Sequence, residues 1–260
     1  SPQALDAIAN IDREIGEIRD KIRSSGKNYQ LLVFSDHGQT DSKPFQQVFG
    51  QSLEEIIDAQ CNQTRKSEGK APLQADEIAT AHCYSMNNIY FNNFPGAVEE
   101  KQIEKAYPGL LSTLVAHPGV GMVVSRTSDG LVLRGKDGTI TVSGDKVDLQ
   151  GQNPLSQYAA ELPNLKGERV RPDEAELLQQ IQDYAKIEQT GDVMVFAIYN
   201  QKDDSTYDFG LKYSLKSLHG GIGGDQGVPF LLSAPGQLDA TGVLSALDLH
   251  DKLHEMKCRV

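Results

Sequence analysis

The chain has 260 residues and a mass of 28.4 kDa, a length that supports one large or two modest domains with a sizeable core. Hydrophobic residues make up 38%, charged residues 23%, and the mean hydropathy is −0.42, which is typical of a soluble globular chain rather than a disordered, fibrous or membrane protein. The net charge of −11 argues against binding to a nucleic-acid duplex, which needs clustered Lys and Arg.

The cysteine spacing bears on disulfide and zinc binding, and the first residues bear on whether the chain is processed. Cys61, Cys83 and Cys258 form no C-x-x-C pair and leave one thiol unpaired, so we predict free thiols rather than a disulfide scaffold or a zinc ribbon. The chain begins Ser1-Pro2 and enters a helical pattern without the regions of a signal peptide. We therefore expect a processed chain or a portion of a longer protein.

Apolar residues in steps of three and four predict amphipathic helices. The clearest stripe runs from Leu5 to Ile22. The polar and unpatterned residues 61–79 are expected to be a surface excursion. Weaker patterns predict helices over residues 50–57, 98–106, 110–116, 172–186 and 241–256.

Short unalternating apolar runs predict strands that are buried on both faces. The strongest runs are residues 31–34, 192–199 and 228–233. Residues 135–138 contain Asp-Gly, which indicates a hairpin turn. Further strands are predicted over residues 88–91, 121–126, 131–134 and 139–142.

The order of these elements predicts an α/β fold. A helix that leads into a covered strand, with polar residues at the strand's carboxyl end, is typical of an open α/β sheet. We predict a mixed, largely parallel sheet flanked by helices, with residues 1–120 and 187–260 forming the core. Residues 121–172 are predicted to form a β-rich flap or subdomain, whose hairpin packs on the main sheet.

The first motif that carries chemistry is Ser35-Asp36-His37-Gly38, directly after a predicted strand. A carboxylate and an imidazole together suit Zn²⁺, Mn²⁺ or Fe. The alternative is a turn Asp that caps the following segment beside an incidental His.

The second motif is His219 followed by Gly220-Gly221. Glycines after a histidine leave space for a bound ion and its anionic ligand, but they serve an ordinary flexible loop equally well. A phosphate cradle is disfavoured, because the run lacks the Lys-Ser/Thr of a P-loop and does not lead from a strand into a helix.

Together the two motifs resemble the carboxyl-terminal half of the alkaline phosphatase superfamily, specifically its type I phosphodiesterase and nucleotide pyrophosphatase branch. The resemblance covers residues 8–39 and 218–236. It implies a two-metal site in which Asp36 and His37 bind one divalent ion and His219 binds the other, with zinc expected first and manganese second. Asp41 and Asp225 are candidates to orient these ligands.

The resemblance also implies what this chain lacks. The family uses a Thr or Ser nucleophile and an Asp-x-x-x-His element upstream of the helix that corresponds to residues 5–22, and neither is found here. We therefore expect a portion of a metal-dependent hydrolase that acts on a small phosphate ester or nucleotide, and that is inactive alone. Self-association through uncovered surface is a further expectation.

Other histidines and other functions stay open. His82 and His117 are expected to be structural or solvated, while His250 and His254 share a helix face that suits a metal ion or favours the helix dipole. The alternatives to a phosphodiesterase are a non-catalytic domain of the same fold, a phosphomutase and a sulfatase.

Overall fold

The computed structural model describes residues 2–27, 29–35, 39–159, 162–163, 169–170, 173–203, 205–210, 217–218, 221–222, 231–233, 238 and 246–257. The chain divides into two compact units, one of Ser1–Asp36 with Pro229–Val260 and the other of His37–Val228. The predicted division into a core and a flap stays a prediction.

The helices of the structure overlap all the predicted ones, but residues 45–49 add a helix that the sequence did not predict, and the helix predicted over residues 50–57 extends to residue 67. They are α1 (Pro2–Ser24), α2 (Phe45–Phe49), α3 (Leu53–Ser67), α4 (Glu100–Ala106), α5 (Leu110–Ala116), α6 (Glu174–Ala185) and α7 (Ala246–Lys257).

The strands outnumber those predicted. They are β1 (Leu32–Phe34), β2 (Thr40–Pro44), β3 (Ile78–Cys83), β4 (Met86–Phe91), β5 (Val120–Thr127), β6 (Gly130–Arg134), β7 (Gly138–Ser143), β8 (Lys146–Gly151), β9 (Leu162–Pro163), β10 (Arg169–Val170), β11 (Val193–Ala197), β12 (Ser205–Asp208), β13 (Ser217–Leu218) and β14 (Leu231–Ser233).

The main sheet corrects the predicted strand direction. It has seven strands in the order β3-β4-β11-β5-β6-β7-β8, and every neighbouring pair is antiparallel. The fold is a mixture of helices and sheets, as predicted, but the main sheet is not largely parallel. Short turns join β3 to β4 and link β5 through β8, and such turns permit antiparallel pairing, whereas parallel strands need long crossovers.

The central strand, β11, explains why the apolar pattern led to a wrong prediction of strand direction. Every residue of β11 is buried. Val193, Val195 and Ala197 belong to one apolar core, and Met194 and Phe196 belong to a second. Because successive side chains of a strand point to opposite faces, the two cores lie on the two faces of the sheet. An unalternating run therefore reports burial on both faces, but it does not report strand direction.

Helices cover each face of the sheet. Helices α3, α4 and α5 contribute Leu53, Ile103 and Leu114 to the first core, and α6 contributes Leu177 and Ile181 to the second. The continuous sheet includes β5 to β8, and the predicted hairpin turn is confirmed by the hydrogen bond from Gly135 N to Gly138 O (2.9 Å).

Two local predictions were wrong. Residues 61–67 are not a surface excursion, because α3 extends to Ser67 and buries Cys61. Strand β1 is not buried on both faces: Leu32 and Val33 are half-buried, and Phe34 is 53% exposed. Its described partner is β14, which pairs with it in the antiparallel direction.

Candidate functional site

Most of the predicted site residues lie outside the described residues. These are Asp36, His37, His219 and Asp225. Asp41 is described, and it lies on β2 with an exposed side chain. The surroundings of the two motifs are therefore described by the strands that flank each motif along the chain.

Strand β2, which begins three residues after His37, is the centre of a three-stranded sheet in the order β12-β2-β13. β13 is antiparallel to β2, with Leu218 opposite Thr40 and Ser217 opposite Asp41. Leu218 is the residue that precedes His219 in the sequence. The fold thus joins the strand that follows the first motif to the strand that precedes the second, although nearly 180 residues separate them.

A second pairing lies on the other side of each motif. In the unit that contains α1, β1 pairs with β14 in the antiparallel direction, with Phe34 opposite Leu231. Phe34 precedes Asp36 by two residues, and Leu231 follows Asp225 by six. Along the chain, β1 and β2 flank the first motif, and β13 and β14 flank the second. β1 pairs with β14, and β2 pairs with β13.

Aromatic packing anchors the carboxyl end of β2. Phe45 follows β2 directly and is fully buried, with its ring centroid 4.8 Å from Phe49, 4.9 Å from His117 and 5.0 Å from Phe209. A β-strand whose end is held in a packed cluster cannot slip in register without exposing apolar rings.

His117 belongs to this cluster and is structural, as predicted. Its Nδ1 accepts a hydrogen bond from the backbone N–H of Gly119 (3.1 Å), and burial lowers the pKa of its imidazole. Gly119 is required there, because a Cβ would lie 2.4 Å from Cε2 of Phe49.

Polar groups line β2 on either side of Asp41. Lys43 forms an ion pair with Asp203 (3.6 Å), and Ser205 donates a hydrogen bond to the same carboxylate (2.7 Å). These contacts, the Ser205 hydrogen bond foremost, lower the pKa of Asp203. Thr40 is 1% exposed, and its Oγ1 has no hydrogen-bond partner among the described residues.

The remaining candidate histidines are exposed. His82 is an exposed residue of β3. His250 and His254 share a face of α7, with ring centroids 6.3 Å apart, and His250 Nδ1 lies 3.2 Å from Asp251 Oδ1. Both histidines of this pair are exposed.

The donor set of the predicted metal site suits the expected ions. One carboxylate and two imidazoles are ligands that zinc accepts. The buried hydroxyl of Thr40, which has no partner among the described residues, belongs to β2 in the strand pair that flanks both motifs. Within the part of the chain that the structure describes, no three His, Cys, Asp or Glu side chains form a metal-binding group.

The larger unit also has a groove of about 500 Å³ that the sequence did not predict, lined by residues that include Glu104, Leu111 and Lys136. Arg134 and Glu100 also line it and form a two-pronged ion pair, with Nη2 2.7 Å from Oε1. These residues are brought together from α4, α5, β6 and the following turn, and no local motif in the sequence signals their meeting.

The model of the family described as type I phosphodiesterase / nucleotide pyrophosphatase matches residues 1–130. This half of the chain contains Asp36, His37 and Asp41, whereas His219 and Asp225 lie beyond it. No curated protein and no solved structure matches the chain. None of the described helices combines the length and the apolar character needed to cross a membrane.

Proposed function

The chain belongs to the type I phosphodiesterase / nucleotide pyrophosphatase family, and from that premise we propose that it supplies ligands to a two-metal site for hydrolysis of phosphate diesters or nucleotide pyrophosphate bonds. Family membership supports a phosphoesterase-type function within the alkaline phosphatase superfamily. The finer assignment rests on two motifs and on the strands that flank them.

In this proposal Asp36 and His37 hold one divalent ion and His219 holds the other, with zinc preferred over manganese. When bound, such ions stabilise the attacking and leaving oxygens at phosphorus. The observation that carries the proposal is the pairing of Leu218 with Thr40, because it joins the chain segments beside the two motifs in one small sheet.

The charge of the chain also favours a metal-assisted site. With a net charge of −11, the protein repels an anionic phosphate ester, and locally held cations reverse that potential. Asp41 and Asp225 are proposed to orient the ligating histidines by accepting a hydrogen bond from the second ring nitrogen.

Zinc binding by the chain of 260 residues tests the ligand assignment. Zinc affinity is measured by competition with a chromophoric chelator for the unaltered chain and for His37→Ala, His219→Ala and the control His82→Ala. We expect each of the first two changes to weaken binding at least about tenfold. The control removes an exposed imidazole from β3 and leaves the affinity unchanged. Unchanged affinity in His37→Ala and His219→Ala would refute the assignment.

Turnover is a separate test. The chain shows no recognisable Thr or Ser nucleophile element of the family, so we propose that residues 1–260 alone do not hydrolyse bis(p-nitrophenyl) phosphate when Zn²⁺ or Mn²⁺ is added. Rapid release of nitrophenol that is lost in His37→Ala would overturn this part of the proposal while supporting the metal ligands.

A further inference from the structure

The imidazole of His117 is packed among aromatic side chains at the carboxyl end of β2. Its ring centroid lies 4.9 Å from that of Phe45 and 4.8 Å from that of Phe49. Phe209 packs on Phe45 at 5.0 Å, and Tyr207 packs on Phe49 at 4.9 Å. We call these five residues the aromatic cluster. Because the charge of an imidazole changes near neutral pH, the packing that holds β2 includes a group that titrates.

A backbone hydrogen bond fixes the protonation state of His117 in the cluster. The N–H of Gly119 donates to Nδ1 of His117 (3.1 Å), and a backbone N–H is a donor only. The imidazole is therefore neutral, with its proton on Nε2. A second proton, on Nδ1, would convert the acceptor into a donor and set two N–H groups against each other.

Gly119 has little room to move away from such a proton. A Cβ on Gly119 would lie 2.4 Å from Cε2 of Phe49 and 2.6 Å from Cε2 of Phe45. Its carbonyl oxygen also accepts a hydrogen bond from Ile198 N–H (3.1 Å). Because the backbone is held on both sides, protonation is relieved by movement of the imidazole ring out of the cluster.

A proton on His117 also finds no counter-charge among the described residues. Burial lowers the pKa of its imidazole, and no charge of a described residue contributes to the shift. Helices α2 and α5 contain no ionisable side chain. The ionisable groups on the strands around the cluster are Asp41 and Lys43 (β2), Tyr207 and Asp208 (β12), Arg126 (β5), and His82 and Cys83 (β3), of which His82 lies beside Gly210.

We propose that His117 is a pH-sensitive switch: its neutral imidazole holds the carboxyl end of β2 in the aromatic cluster, and its protonation releases that end. Phe45 directly follows β2 and is fully buried, so loss of the cluster frees the strand from its anchor. β2 is the central strand of the sheet β12-β2-β13, and its register with β13 depends on that anchor. Acid therefore loosens the small sheet that flanks both motifs.

The consequence for metal binding rests on the proposed function. β2 follows His37, and β13 precedes His219. Release of β2 removes the pairing that joins these two segments. Zinc affinity should then fall in acid by more than protonation of the ligands alone would cause.

Urea denaturation of the metal-free chain at about pH 7.5 and about pH 5 tests the switch. Since the unfolded chain takes up the proton more readily than the folded one, the contribution of His117 to stability is complete above its ordinary pKa of 6.5 and is lost below it. His117→Asn is the matched variant, because its Oδ1 accepts the same Gly119 N–H but does not titrate. We expect acid to raise the unfolding equilibrium constant at least about threefold more in the unaltered chain than in His117→Asn. His82→Asn, which removes an exposed imidazole, is the control and keeps the response of the unaltered chain.

Amide hydrogen exchange locates the segment that is released, because it reports local opening. The exchange rate of β2 and α2 relative to that of β11 should rise at least about tenfold at about pH 5 in the unaltered chain, once the intrinsic effect of pH is removed. The rise should be absent in His117→Asn. An equal acid response in all three regions, or greater protection of β2 in acid, would overturn the proposal. The comparison of β2 with β11 within the unaltered chain decides this even where the variant fails to fold.

Zinc competition at the same two pH values separates the switch from the metal assignment. We expect the loss of zinc affinity in acid to be at least about threefold smaller in His117→Asn than in the unaltered chain. If His37→Ala and His219→Ala leave zinc affinity unchanged while β2 opens in acid, the proposed function fails and the switch stands. If those two variants weaken zinc binding but the acid losses of the unaltered chain and His117→Asn are equal, the metal assignment stands and its coupling to His117 is refuted.

Discussion

Helices α1 and α3 are both amphipathic, but they differ in whether their apolar residues are buried. α3 buries Leu53, Ile56, Ile57 and Cys61 against the main sheet, and burial raises the pKa of the Cys61 thiol to about 12. α1 buries none of its residues. The apolar spacing identifies both as helices, but it does not say whether the apolar face is covered by the same chain.

The polar contacts of the two helices differ in the same way. Arg65 of α3 donates from both Nη atoms to the carboxylate of Glu77, and each of these two side chains is 17% exposed. In α1, Asp20 lies near Arg19 and Arg23 at 3.6 and 3.9 Å, and all three side chains are more than half exposed. The same types of charge therefore differ greatly in what they contribute to stability, because water screens the exposed ones.

The largest difference is expected for truncation of an apolar residue in each helix. Ile57 is 1% exposed, so Ile57→Ala should lower the free energy of unfolding by about 2–5 kcal/mol through lost burial and a cavity. Ile11→Ala removes the same atoms from an exposed site and should change it by less than about 0.5 kcal/mol when the chain is monomeric. Urea denaturation followed by circular dichroism measures both, and equal losses in the two variants would contradict the contrast.

The next largest effect is expected at the ion pairs. Glu77→Gln keeps the shape but removes the charge that Arg65 faces, and it should cost about 1–3 kcal/mol. Asp20→Asn in α1 should cost less than about 0.5 kcal/mol. Both are compared with the unaltered chain by urea denaturation at pH 7.

The pH dependence sharpens this second prediction. The hydrogen bond from Arg65 lowers the pKa of Glu77 below its ordinary value of 4.5. A carboxylate with a lowered pKa in the folded state stabilises fully above its unfolded pKa and loses that contribution as the pH falls through the folded value. The gap between the unaltered chain and Glu77→Gln should therefore be constant above pH 4.5 and shrink below it. A gap that widens in acid would contradict this assignment.

Local signals in the sequence predicted the elements but not their arrangement. The apolar run of β11 and the Asp-Gly turn before β7 were identified, because burial and turn geometry depend on neighbouring residues. Strand direction could not be identified in this way, because Val195 would be buried in a parallel sheet as well as in an antiparallel one. The surface excursion predicted from Cys61 onward is wrong, because the charged residues after Cys61 mask the apolar side of a helix that packs inward.

The candidate site shows the same division. The two motifs and their resemblance to the family predict Asp36, His37 and His219 as metal ligands, and that assignment stays a prediction. The pairing of Leu218 with Thr40 could not be read from the sequence, because register between distant strands depends on the whole sheet. The groove beside Arg134 was missed for the same reason.

The smallest predicted contrast lies at the helix ends. Ser52 caps α3: its Oγ accepts a hydrogen bond from Glu55 N (3.2 Å), and Glu55 Oε2 accepts one from Ser52 N (2.8 Å). Ser52→Ala leaves a helix N–H without its acceptor and should cost about 1 kcal/mol. Ser24→Ala removes an exposed hydroxyl that donates to Lys21 O at the end of α1 (3.0 Å) and should change stability by less than about 0.5 kcal/mol. Urea denaturation measures both losses. A larger loss in Ser24→Ala than in Ser52→Ala would contradict this contrast, because α1, which has no buried residue, would then contribute to stability as strongly as α3.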